Sequence, residues 1–359
     1  MHLQRLSPSL SHRRCPAILV AVGLALFAPG CARRQAKQIT GAQVGVILPT
    51  RGDPYYDALA AEVQERAGRQ RVVLTVEDGG GQAERQARVI RDMAARQPGA
   101  LIVVPLPGDP VDQALASAAG AGVPVILLEA DSPGLSAAGR VLSDDAISGK
   151  LCADYLDWRL KHSGKVAVLN DSSLRAGAER LQGFRDWLAR KRSRLSVVAT
   201  ENAGDARRCA ALVKEWLSRY PDLRGVFAVR DAAGAAAAQA ARQVNRKDLV
   251  VVGIEGSPEA VAALRERGPF TMAVTHYPAE AGREAWRAAR RILQGDSLPE
   301  KVVTVPVLPV VRDTAARFAG WDNEPPREKV DLPWPSSLAQ SESLYLSQPE
   351  KNPARGETS

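Results

Sequence analysis

Two adjacent tyrosines, Tyr55 and Tyr56, follow Pro54 in the stretch LPTRGDPYYDALAAEVQERA, where an apolar run gives way to an amphipathic helical pattern. A phenol ring has an apolar face and a polar tip, so a pair at the mouth of a sheet suits a wet cleft. The competing reading is that one tyrosine merely begins the helix and packs on its own lobe. At least one is expected to line a pocket.

Groups able to do covalent or acid–base chemistry are scarce. After residue 31 only His162 and His276 remain of the histidines. There is no His-rich metal motif, no G-x-S-x-G elbow, no phosphate-binding loop and no G-x-G-x-x-G fingerprint. DGGGQ, Asp78 to Gln82, reads as a turn after a strand. The chain is therefore expected to bind rather than catalyse, with no cofactor and no metal.

The remaining reactive groups are four cysteines, of which Cys15 and Cys31 lie near the N-terminus. A basic segment (Arg5, Arg13, Arg14), an apolar segment (Ile18 to Phe27) and small residues ending at Cys31 follow the plan of an export signal. The apolar run from Ala17 to Ala28 is too short to span a bilayer. FAPGC resembles a bacterial lipoprotein box, which implies lipid modification of Cys31; a plain secretory signal is the alternative. Residues 1–31 are thus read as an export signal with a lipobox-like cysteine. In an oxidising compartment Cys152 and Cys209 could pair as a disulfide, or stand as two separate buried thiols.

These residues must be held by elements, and 359 residues are enough for two domains, each with its own core. From Val44 onward β-branched runs alternate with helical patterns, the signature of parallel sheets covered by helices. Strands are expected at VGVIL, RVVLTV, ALIVV and VPVILL, then at KVAVLN, LSVVAT, GVFAV, LVVVGI and TMAVTH, with a final strand at KVVTVPVLPVV. Two such sheets in succession place a ligand cleft between lobes. Residues 321–359, rich in Pro, Ser and charge without periodicity, are expected to form a disordered or loosely attached tail. The formal net charge of +8 falls to about +5 without the three leader arginines. In RDWLARKRSRL the bases mix with acid along a helix, so a solvated face is expected and no nucleic-acid partner.

With these elements in order, the chain resembles the ribose-binding-like periplasmic sugar-binding proteins of ABC importers. The motifs that carry the resemblance are GVILPTRGDPYYDAL, VPVILLEAD, LSDDAISGKLCADYL, AERLQGFRDWL, GVFAVRDAAGAAA, VVGIEGSPEAV and FTMAVTHYPAEAG, spanning roughly residues 42–312. The resemblance implies an α/β fold of two Rossmann-like lobes with parallel sheets joined by a three-stranded hinge. It places one lobe at 42–143 plus 277–304 and the other at 144–276 plus 305–318. It implies that Tyr55 and Tyr56 sandwich a sugar ring, and that Asp53, Glu129, Arg180, Arg230, Glu255 and His276 complete the ligand site. Several depart from the family pattern: Asp53 replaces Asn, Ala130 an arginine, Arg230 an Asn, Glu255 an Asp and His276 a Gln, while Gly204 stands where an aromatic is usual. His276 is expected to be able to change charge near neutral pH.

The resemblance also implies the function: a periplasmic or cell-surface monomer, lipid-anchored to a membrane, that captures a small sugar or polyol by hinge closure and delivers it to an ABC permease. An acidic ligand is the alternative if Arg230 reaches it. A membrane sensor or kinase is the alternative recipient. A sugar-responsive repressor shares this fold, but residues 1–41 carry an export signal where a helix-turn-helix would be needed.

Overall fold

The computed structural model describes residues 38–318, 320, 321, 324, 325, 331–336 and 338. The export signal and Cys31 lie outside the described residues. All described residues belong to one compact unit, Lys37–Ser359.

The chain first alternates β1 (Gln43–Leu48), α1 (Pro54–Arg69), β2 (Val73–Asp78), α2 (Ala83–Ala95), β3 (Ala100–Val103), α3 (Asp109–Gly120), β4 (Val125–Leu128) and β5 (Gly139–Ser143). A second round follows with α4 (Asp145–Arg159), β6 (Ser163–Asn170), α5 (Arg175–Arg190), β7 (Arg194–Asn202), α6 (Ala206–Arg219), β8 (Leu223–Ala228), α7 (Asp231–Gln243), β9 (Val250–Glu255), α8 (Pro258–Arg265) and β10 (Phe270–Thr275). The chain then returns through α9 (Pro278–Gln294), β11 (Val302–Val305), β12 (Leu308–Val311) and α10 (Arg312–Ala315). Two six-stranded sheets result, ordered β11-β5-β4-β3-β1-β2 and β12-β10-β9-β8-β6-β7. The expected α/β architecture of two lobes, each built on a parallel sheet, is what these elements form.

Every strand pair is parallel except β10 with β12, which run antiparallel. The chain passes between the sheets three times, from β5 to α4, from β10 to α9, and from β11 to β12. The run KVVTVPVLPVV, expected as one strand, is two short strands in different sheets. Pro306 lies between them, and its missing N–H suits it to such a break. β5 has no counterpart among the expected strands. Its five residues include Gly139 and Arg140, so its apolar signal is weak.

Burial on both faces explains the continuous apolar runs of the central strands. In the first sheet Val46, Leu48 and Ile102 join the core under α1 and α9, while the alternate residues Ile47, Leu101 and Val103 join the core under α2 and α3. The second sheet divides in the same way: α4 and α5 cover one face, and α6, α7 and α8 cover the other. Right-handed crossovers enforce this, because α5 connects β6 outward to β7 whereas α6 returns past β6 to β8. Cys152 on α4 and Cys209 on α6 therefore lie in different cores, and both are free and buried. Of the two readings open for them, the possible disulfide is corrected and two separate buried thiols is the arrangement found, because the sheet separates them.

Two residues of the expected tail are anchored. Trp321 packs edge-on against Tyr55, ring centroids 5.4 Å apart, and its indole N–H donates to the carbonyl of Glu255 at 2.8 Å. Trp334 is buried against Tyr155 of α4 and donates to Asp154 Oδ2 at 2.7 Å, while Trp187 of α5 donates to the other oxygen. Apolar burial with a satisfied N–H holds each indole, so a loose attachment does not describe these positions.

Candidate functional site

The C-terminal ends of β1, β4, β8 and β9 carry the chemistry, as open α/β sheets favour. Asp53 caps the N-terminus of α1, accepting from the Tyr55 amide at 3.0 Å through Oδ1. Its other oxygen, Oδ2, accepts from Arg230 Nη2 at 2.7 Å. Arg230 precedes α7 on the second lobe, and its Nε donates to Glu255 Oε1 at 2.8 Å. One guanidinium thus ties an acid of the first lobe to an acid of the second.

Arg180, on α5, is buried and donates to Asp145 Oδ1 at 2.7 Å and to the Val229 carbonyl at 2.8 Å. Its Nη1 also stands 3.8 Å from Glu255 Oε1. The approach of α4 and α5 makes this pairing possible, and glycines permit it: a Cβ on Gly149 would lie 1.9 Å from the Arg180 carbonyl oxygen, and one on Gly183 would lie 2.1 Å from that of Ala146. Burial raises the Asp145 carboxyl to about 6 against the pull of Arg180.

Tyr55 and Tyr56 occupy the first turn of α1, only 4% and 8% exposed, edge to face with centroids 5.8 Å apart. Both line a cavity of about 420 Å³, partly open to solvent, together with Glu129, Ala130, Arg175, Arg180 and Glu255. The Tyr55 hydroxyl is buried against the carboxyl of Glu129.

Glu129 follows β4 and is 6% exposed. Ser143 donates to its Oε2 at 3.0 Å. Burial, then the negative charge of Asp145, raises its carboxyl to about 7. Glu129 and Glu255 both have positive φ, 61° and 122°. Such backbone costs a non-glycine residue on the order of 1–3 kcal/mol, and this kind of strain concentrates at functional sites.

His276 departs from expectation. It is fully buried and does not line the cavity, and its ring stands beside Tyr55. Ser148 Oγ donates to the Asp144 carbonyl at 2.9 Å, so the 3.0 Å contact between Ser148 Oγ and His276 Nε2 is donated by the imidazole. Burial, then the charge of Arg180, pushes the pKa of His276 well below 6.5. It is therefore neutral at physiological pH, and the expected change of charge near neutrality is corrected.

Three residues at the site had drawn no binding expectation. Asp145 holds Arg180, and Trp321 braces Tyr55. Arg175 reaches from α5 across to the first lobe, donating to Asp112 Oδ1 at 2.7 Å and to the Leu106 carbonyl at 3.0 Å. The sequence signal for Asp145 was the doubled acid of LSDDAIS, where Asp144 is the helix cap. No group of three His, Cys, Asp or Glu among the described residues could hold a metal ion.

Residues 44–297 match the family described as a periplasmic binding protein domain. The ribose import binding protein of Salmonella typhimurium is 25% identical over 260 residues, covering 72% of this chain and 87% of that protein. An ABC transporter solute-binding protein from Mycobacterium smegmatis, solved with glycerol bound, superposes with a TM-score of 0.71 at 25% identity, covering 78% of this chain and 97% of that one. Another from Burkholderia graminis, in complex with D-arabinose, reaches a TM-score of 0.74 at 21% identity, covering 79% and 99%.

Proposed function

Since the chain belongs to the periplasmic binding protein family, whose members of this kind are non-enzymatic carriers of sugars outside the cytoplasm, we propose that it captures a small carbohydrate or polyol in its interlobe cleft by hinge closure and delivers it to an ABC permease. In this reading it is a monomer held at the membrane through a lipid on Cys31. The observation that carries the reading is the cavity itself, which Tyr55 and Tyr56 line together with the polar groups of Glu129, Arg180 and Glu255. Ring faces exclude water from the C–H surface of a sugar, while fixed charges accept and donate to its hydroxyls. The relatives point the same way, being named or solved with ribose, glycerol and D-arabinose.

The arginines favour a ligand without an acid group. Arg230 lies between Asp53 and Glu255, and Arg180 holds Asp145 and the Val229 carbonyl. Hinge closure follows from population shift: a ligand touching both lobes favours the closed form by its differential affinity for that form.

A thermal-shift and calorimetric screen against pentoses, hexoses, polyols, sugar acids and dicarboxylates tests this, because a ligand bound only by the folded state raises the midpoint. A sugar or polyol hit whose affinity falls about tenfold or more in Tyr56→Ala is the expected result. Hits confined to the acids, or an unchanged affinity in that variant, would remove the proposal. Arg180 is the poorer probe, since its loss also strands a buried carboxylate.

A further inference from the structure

The cations of the cleft are all engaged. Arg230 bridges Asp53 and Glu255, Arg180 is held by Asp145 and the Val229 carbonyl, and Arg175 by Asp112 and the Leu106 carbonyl. Four carboxylates, on Asp53, Glu129, Asp145 and Glu255, surround the two guanidiniums of Arg180 and Arg230. Of these four, Glu129 alone has no ion-pair partner among the described residues, and Ala130 beside it carries no charge; Asp231 is also buried without an ion pair, but it accepts from the Ser257 amide and does not line the cavity. On the cavity wall Glu129 Oε1 and the Tyr55 hydroxyl are buried, and the phenol stands against the Glu129 carboxyl with no third group among the described residues reaching either atom.

Resting on the carbohydrate reading above, we propose that the ligand is an amino sugar or aminopolyol whose ammonium group is received by Glu129 Oε1 and the Tyr55 hydroxyl oxygen. A buried carboxylate without a counter-charge is costly, and a ligand ammonium supplies that charge together with N–H donors for the Glu129 carboxylate and for the phenol oxygen of Tyr55 beside it. A neutral hydroxyl supplies one donor and no charge. A ligand carboxylate would meet Glu129 as a like charge, with both site arginines already paired.

The groups facing Glu129 are Tyr55 from α1, Ser143 from β5, Asp145 from α4 and Arg180 from α5. With its carboxyl near 7, Glu129 is partly protonated in the ligand-free cleft, and the proton neutralises it there. An ammonium favours the ionised form, so binding expels that proton. Affinity for an amine therefore rises as the pH increases from 5.5 to 7.5, whereas a neutral polyol gains nothing from ionising Glu129.

The test is titration calorimetry on the full chain, expressed with its own leader, using matched probes: D-glucosamine with D-glucose, D-galactosamine with D-galactose, and an aminocyclitol with its parent inositol. In at least one pair the amine is expected to bind tenfold or more tighter than its parent. That preference should shrink at pH 5.5 and vanish in Glu129→Gln, a near-isosteric change whose folding is checked by its melting transition. A parent that binds as tightly as its amine overturns this inference and leaves the carbohydrate reading standing. A preference that survives both Glu129→Gln and pH 5.5 overturns the assignment to Glu129. Silence from every probe, with the melting transition intact, overturns this inference; the carbohydrate reading falls with it only when the pentose and polyol screen above is silent too.

Discussion

Glu129, Asp145 and Asp231 are buried carboxyls with raised pKa values, about 7, about 6 and about 8. Burial is the main cause in each, joined by the charge of Asp145 at Glu129 and of Glu255 at Asp231. The folded protein therefore holds protons that the unfolded chain has already released, and raising the pH removes stability. The contribution of these groups is fully present below the unfolded carboxylate range and is lost as the pH climbs through 6 to 8. The thermal midpoint of the ligand-free protein is expected to fall between pH 5 and pH 8, and Glu129→Gln should flatten the part of that fall centred near 7. A midpoint that rises over this interval would contradict the assignment. At this scale the sequence made the tyrosines and the strand-end acids legible, because residue type and a turn position suffice to identify them. It did not reveal that Glu129 is the cavity-lining acid without an ion-pair partner, since that depends on where the other carboxylates find their arginines.

Elements decide the pairing of Arg180 with Asp145. Both side chains sit where α4 and α5 nearly touch, and that approach depends on Gly149 and Gly183. Gly183→Ala is expected to force the helices apart, costing about 1–3 kcal/mol or more in urea denaturation and weakening ligand binding in the same variant. Gly120→Ala on α3, where an added Cβ meets nothing within 4 Å, serves as the control and should change neither. The order of strands and helices was readable because the period of the apolar pattern is a local property. The separation of Cys152 from Cys209 was not, because it depends on which way each crossover travels along the sheet.

For the whole molecule, the two lobes are held together by side chains far apart in sequence. Arg230 and Asp53 are 177 positions apart, and Arg175 and Asp112 are 63 apart. Under the proposed hinge closure these contacts would favour the closed form, so removing one is expected to tax affinity by the fraction of closed molecules lost. Arg175→Ala is expected to increase the radius of gyration of the ligand-free protein in small-angle scattering, and saturating ligand should restore the compact value. An unchanged radius in the ligand-free variant would show that this pair does not hold the lobes.

By itself, the sequence determined the two-lobed α/β fold and the position of the aromatic pair, both consequences of short-range pattern and side-chain type. Tertiary structure alone decided which acid neutralises which arginine, that His276 is buried and neutral, and that Trp321 braces Tyr55. Charge pairing and burial are set by distances in space, and between two lobes crossed three times by one chain those distances leave no periodic trace in the order of residues.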